Sequence, residues 1–127
     1  MKKIYHLAVE ATLDVIGGKW KPIILCHLGN GPQRTSELQK NIPAVTQKML
    51  VQQLRELQAD GIILRKVYNQ VPPKVEYSLT EEGKTLRNIL VSMSEWGVRR
   101  VATLNEKGAD IQIENENFDG FLKYYPL

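Results

Sequence analysis

Residues 46–83, TQKMLVQQLRELQADGIILRKVYNQVPPKVEYSLTEEG, read as a helix, a β-hairpin and the start of another helix in unbroken succession. Wound at about 100° per residue, Leu50, Leu54 and Leu57 fall on one side at spacings of four and three and form a buried stripe. The same winding puts Lys48, Gln52 and Arg55 in a row on the other side, with no carboxylate directly between them. Such a row suits base edges and phosphates: Arg and Lys donate to guanine or phosphate, and Gln pairs bidentately with adenine. Thr46 stands where an N-cap belongs, which leaves backbone N–H groups and the positive end of the helix dipole facing outward. Gly61 supplies the left-handed turn that ends the helix.

Two strands follow, Ile62 to Asn69, rich in branched residues, and Val75 to Leu79, which alternates with period two. Pro72-Pro73 cannot donate at two consecutive backbone positions, so Gln70 to Pro73 forms a stiff, protruding tip. Lys66, Asn69, Gln70 and Lys74 surround that tip, as befits a wing that reaches a neighbouring groove or phosphate run. The plain alternative is a solvated hairpin with surface lysines. Its position directly after a helix with a polar and basic outer row favours the wing, and with it a winged helix that binds double-stranded DNA.

Upstream, Val9, Leu13 and Ile16 give a helical stripe ending at Gly17-Gly18, and Trp20, Ile24, His27 and Leu28 repeat it up to Gly29. Pro22 is tolerated because it falls in a first turn. Arg34 to Leu38 offers a capping hydroxyl and a short helix to about Ile42, closed by Pro43. Joined to the Thr46 helix through Pro43-Ala44-Val45, it completes a helix-turn-helix. Downstream, Thr80 caps a helix that Leu86, Ile89, Leu90, Met93, Trp96, Val101 and Leu104 continue for about six turns. Val91, Val98 and Ala102 lie off the Leu86–Ile89–Met93–Trp96 stripe. With Val9, Leu13 and Val101 they are the expected interface of a homodimer, whose symmetry suits a palindromic operator. The expected architecture is mainly α with a small β-hairpin: one domain over 1–127, its core at about 5–104, with 105–127 either an arm buried on the dimer partner or a frayed terminus, the arm being favoured. Ile111-Gln112-Ile113 alternates within that arm, and FDGFLKYYPL places four aromatics in ten residues.

Charge divides the chain. Residues 1–100 carry 15 Lys and Arg against 9 Asp and Glu, whereas residues 101–127 carry 2 against 5, so the body is the part that meets a polyanion. No apolar run approaches the roughly 20 residues needed to cross a bilayer, and MKKIYHLAVEATLD meets a carboxylate too soon for a signal peptide. A cytoplasmic protein without membrane partners is expected, and the single cysteine, Cys26, fits a reducing compartment.

The stretches Val9 to Leu25, Thr46 to Ile62 and Val71 to Gly83 together resemble the HxlR-type bacterial transcription regulators, a branch of the MarR-like winged helices. With the segments between them they span about three quarters of the chain in the expected order. The resemblance implies a homodimer with one recognition helix per subunit in successive major grooves. Thr46, Gln47, Lys48, Gln52 and Arg55 match the recognition helix, Asn69 to Lys74 match the wing, and Arg34, Thr35 and Ser36 match a backbone clamp. Members of this family sense oxidants through a cysteine before the first helix; Leu7-Ala8-Val9 stands there instead. Cys26 serves as a redox switch only if exposed and held as a thiolate, with His27 lowering its pKa; otherwise it is a small buried hydrophobe.

Rival functions find less support. His6 and His27 are the only histidines, neither belongs to a metal-ligand or catalytic spacing, and there is no phosphate loop, so neither enzyme nor cofactor is expected. An RNA reader needs an aromatic stacking platform that the polar helix face lacks. A protein-interaction module has little use for Lys48, Gln52 and Arg55 beside a polar wing. A small-molecule effector between the dimerising helices and the winged body modifies the DNA-binding reading without displacing it. Repression is favoured over activation because steric occlusion of a promoter needs no further surface.

Overall fold

The computed structural model describes residues 2–114. Six helices and one hairpin follow in order: α1 Ala8–Ile16, α2 Trp20–Leu28, α3 Thr35–Asn41, α4 Gln47–Ala59, β1 Ile63–Tyr68, β2 Lys74–Leu79, α5 Glu81–Lys84 and α6 Arg87–Glu106. This is the expected winged helix-turn-helix, with both strands within a residue or so of their expected bounds.

Helix α4 forms for the reasons its sequence suggests. The Thr46 hydroxyl accepts a hydrogen bond from the Met49 amide at 3.1 Å and caps the first turn. At the other end Gly61, at φ 74°, lets the Gly61 amide reach the Gln58 carbonyl and the Ile62 amide reach the Leu57 carbonyl, each at 3.0 Å. That pair of bonds is a Schellman closure, and it turns the chain directly into β1. Leu50, Leu54 and Leu57 are buried among Ile24, Leu25, Leu28, Leu38 and Ile63, so α2, α3, α4 and the hairpin base share one core. At the edge of that core Lys21 on α2 meets Glu56 on α4 at 3.4 Å.

The antiparallel hairpin pairs Ile63 with Leu79 at its base and Tyr68 with Lys74 near its tip. Ile63, Tyr77 and Leu79 are buried on the face that meets the helices. Gln33 adds a third, one-residue strand to the free edge of β2, exchanging both backbone bonds with Tyr77 at 2.8 and 2.9 Å. Its buried side chain donates to the His27 carbonyl and fixes the α2–α3 turn. Thr80 ties three elements together: its hydroxyl donates to the Gly61 and Ile62 carbonyls and accepts from the Gly83 amide. Gly83 passes so close to the Ile62 carbonyl that a Cβ would overlap it.

Three expectations are corrected. The single helix expected after Thr80 breaks at Thr85–Leu86 into α5 and α6. The Leu86–Ile89–Met93–Trp96 stripe does not face the core: Leu86, Leu90 and Val91 pack on it, while Ile89, Met93 and Trp96 are exposed, Trp96 at 61%. Val91, expected at a dimer interface, is therefore engaged within its own chain. In α1 only Ile16 reaches the core, and Val9 and Leu13 stand in solvent. At the end of α6 the Asn105 side chain closes a loop on the Ile111 backbone at 2.9 and 3.0 Å. The aromatic run at the end of the chain lies outside the described residues.

Candidate nucleic-acid interface

Thr46 as cap fixes the rotation of α4, and the Leu50–Leu54–Leu57 stripe beneath it turns the remaining face outward. Gln47, Lys48, Gln52 and Arg55 are all exposed and, with Val51, line an open depression along the helix. Among the described residues none of Lys48, Arg55 or Arg34 forms an ion pair. Their donors are solvated and available, the condition a base edge or phosphate requires.

Helix α3 packs against α4. Arg34 is its N-cap residue and is exposed; its backbone amide donates to the Glu37 carboxylate at 3.0 Å. Thr35 and Ser36 lie inside the first turn and make no side-chain cap, contrary to the capping role expected of a hydroxyl there. The Glu37 carboxylate thus supplies the half of a capping box that satisfies the N-cap amide.

On the hairpin, Asn69 and Gln70 are exposed at the tip, where Val71 is wholly solvated. Lys66 and Lys74 are less independent. Their Nζ atoms sit 4.7 and 4.9 Å from the centre of the Tyr68 ring, and Lys74 also meets the Glu76 carboxylate at 3.3 Å. The Tyr68 hydroxyl, Lys74 and Arg34 hold Glu76 below the usual carboxylate range. Tyr68 and Glu76 were absent from the sequence-predicted site, although the signal existed. Period-two alternation puts Lys74 and Glu76 on one face, and the hairpin register sets Tyr68 opposite Lys74.

Cys26 packs against the core, and burial pushes its thiol up to about 11, only partly offset by a hydrogen bond with Ser94. His27, itself shifted down by burial, does not lower it. Cys26, Ile23, His27, Leu90 and Met93 line a crevice of about 300 Å³ between α2 and α6.

The expected interface residues divide. Val9, Leu13 and Ala102 are exposed, whereas Val91, Val98 and Val101 are half-buried. The larger apolar surface is the one that the sequence had assigned to the interior, Ile89, Met93 and Trp96, with Leu7 also exposed ahead of α1. The arm leading into α1 is clasped by Tyr5 and Lys3, which hydrogen-bond the Asp14 carboxylate at 2.5 and 3.0 Å and keep it below its ordinary pKa. No described helix is long and apolar enough to cross a membrane, and the described residues hold no cluster of three or more metal-ligating side chains.

A family model described as HxlR-like helix-turn-helix matches residues 15–105. The uncharacterized HTH-type transcriptional regulator YtcD of Bacillus subtilis is 62% identical over 100 residues, 79% of either chain. Its crystal structure superposes with a TM-score of 0.72 at 60% identity, covering 76% of this chain and 98% of that one. The redox regulator HypR in its reduced form matches with a TM-score of 0.74 at 55% identity, covering 79% of this chain and 99% of that one.

Proposed function

The chain belongs to the HxlR-like helix-turn-helix family and is a DNA-binding transcriptional regulator, and from that premise we propose that it acts as a homodimeric repressor on a two-fold symmetric operator. The observation that carries the reading is the unpaired row of Lys48, Gln52 and Arg55 on α4, held outward by a fully buried leucine stripe. In this reading α4 enters the major groove. Arg55 and Lys48 donate to guanine or phosphate, Gln52 addresses adenine, Arg34 clamps the backbone, and the wing lies alongside. The exposed apolar side chains of Val9 and Leu13 on α1 and of Ile89, Met93 and Trp96 on α6 support a second copy as their cover, since apolar side chains left in solvent are a poor surface for a monomer. Two recognition helices related by a dyad then read the two halves of a palindrome, and occupancy of a promoter blocks it.

A salt titration of binding to the DNA upstream of its own gene, against scrambled DNA and with mass determined in parallel, tests this. Specific preference, a steep negative salt slope and a dimer mass are expected. No binding to either duplex at low salt overturns the reading.

The crevice between α2 and α6 supports control by a small apolar ligand, being of a size that such molecules occupy. A thermal-shift screen with small aromatic compounds checks this, with Ser94→Trp as the blocked control; equal shifts in both proteins discard it. Likeness to HypR, a redox regulator, raises thiol control as well. With its pKa near 11, however, Cys26 is ionised in only about one molecule in ten thousand at pH 7, which makes it a slow nucleophile.

A further inference from the structure

The wing and the recognition helix present their cations differently. Lys48 and Arg55 on α4 face solvent with no carboxylate of the described residues against them, whereas Lys74 on the wing is already engaged by Glu76 at 3.3 Å. The two residues share one face of β2, turned away from the core that Tyr77 and Leu79 occupy. Lys66 stands directly across from Glu76 and Tyr68 directly across from Lys74, so the four side chains form a square on that face. Both ammonium groups lie over the Tyr68 ring, at 4.7 and 4.9 Å from its centre, and the Tyr68 hydroxyl helps hold the Glu76 carboxylate below its usual range. Arg34, from the start of α3, adds attraction from a second element. The square therefore holds one carboxylate among two ammonium groups and a phenol, with the Arg34 guanidinium adding attraction from outside it.

We propose that Glu76 stands in for a DNA backbone phosphate on the free wing, holding Lys74 and the Tyr68 hydroxyl in place until a phosphate takes over those donors. The inference deepens the DNA-binding reading above and rests on it. The physical reason is that carboxylate and phosphate oxygens accept from the same donors, and an approaching polyanion repels the carboxylate as it attracts the lysine. A surface ion pair is weak enough to be exchanged in this way. The consequence is a wing masked toward polyanions in general. Lys74 becomes available only when α4 has delivered a phosphate to it, so Glu76 lowers sequence-blind affinity more than it lowers operator affinity.

The test is a double-mutant cycle on the full chain, in which wild type, Glu76→Gln, Lys74→Ala and the double variant bind a short duplex of mixed sequence across a salt series. Melting curves confirm that each protein is folded. Glu76→Gln is expected to tighten binding about threefold at moderate salt and to steepen the salt slope by about one, the increment of one more phosphate contact. In the Lys74→Ala background that gain should vanish. Unchanged or weaker binding by Glu76→Gln overturns the proposal. So does a gain that survives without Lys74, which would report only the loss of a negative charge near DNA. Failure of the wild type itself to bind at low salt is a separate readout, and it would overturn the DNA-binding reading together with this inference.

Discussion

Helices α4 and α6 are both amphipathic, yet they complete themselves in different ways. In α4 the apolar residues Leu50, Leu54 and Leu57 are at most 1% exposed, and what remains outside is mostly polar and charged, with Met49 and Val51 the larger apolar exceptions. In α6, a helix of 20 residues, only Leu90 is fully buried among the apolar residues, with Arg87 beside it, while Ile89, Met93 and Trp96 stay exposed. The first helix has its hydrophobic partner within the chain and offers a polar face to a ligand. The second leaves much of its apolar surface uncovered by the described residues. On the proposed reading, recognition and pairing fall to opposite kinds of surface on the same small fold.

The contrast is breakable. The largest effect should come from Leu54→Ala, which removes a side chain packed on every side. A loss of about 2–5 kcal/mol in urea unfolding is expected, and a loss below 1 kcal/mol would mean that the α4 stripe is not the centre of the core. Trp96→Ala should leave the fold intact and weaken self-association by about 2–4 kcal/mol, as truncation of a central aromatic anchor does. Sedimentation equilibrium measures this, and an unchanged dimer would remove α6 from the interface. Arg55→Ala inverts the pattern: dimer mass unchanged, specific DNA binding weakened by about 1–3 kcal/mol. Equal binding to operator and scrambled DNA in both proteins would deny it a base contact. Thr46→Ala should cost about 1 kcal/mol of stability through the lost cap and blunt DNA binding only slightly. The smallest effect belongs to Cys26. Iodoacetamide should label it slowly at pH 7, faster only as pH rises toward its pKa of about 11. Fast labelling at neutral pH would return it to the list of sensors.

The hairpin, the cap at Thr46 and the closure at Gly61 were legible because each depends on neighbours in sequence: a hydroxyl three residues from an amide, a glycine at a helix end, a proline pair at a tip. The row Lys48–Gln52–Arg55 was legible for the same reason, once Leu50, Leu54 and Leu57 fixed the opposite side. The pairing of Lys74 with Glu76 and Tyr68 was overlooked although alternation and register contain it. Arg34 contributes to it from α3, a contact across separate elements that no local pattern announces.

What the chain's sequence determined by itself was the order of elements as far as Thr80, most of their ends and the outward face of α4, because these follow from propensity, caps and one unambiguous apolar stripe. The orientation of α6 was decided only by the tertiary structure. Its sequence holds two overlapping stripes, Leu86–Ile89–Met93–Trp96 and the set around Leu86, Leu90 and Val91, and both satisfy helical spacing. Ile89 and Leu90 differ by only about 100° around the axis, too little for periodicity to choose between them. Packing chose: the core beside α2 admits Leu90 and Val91, and the rotation that seats them turns Met93 and Trp96 out.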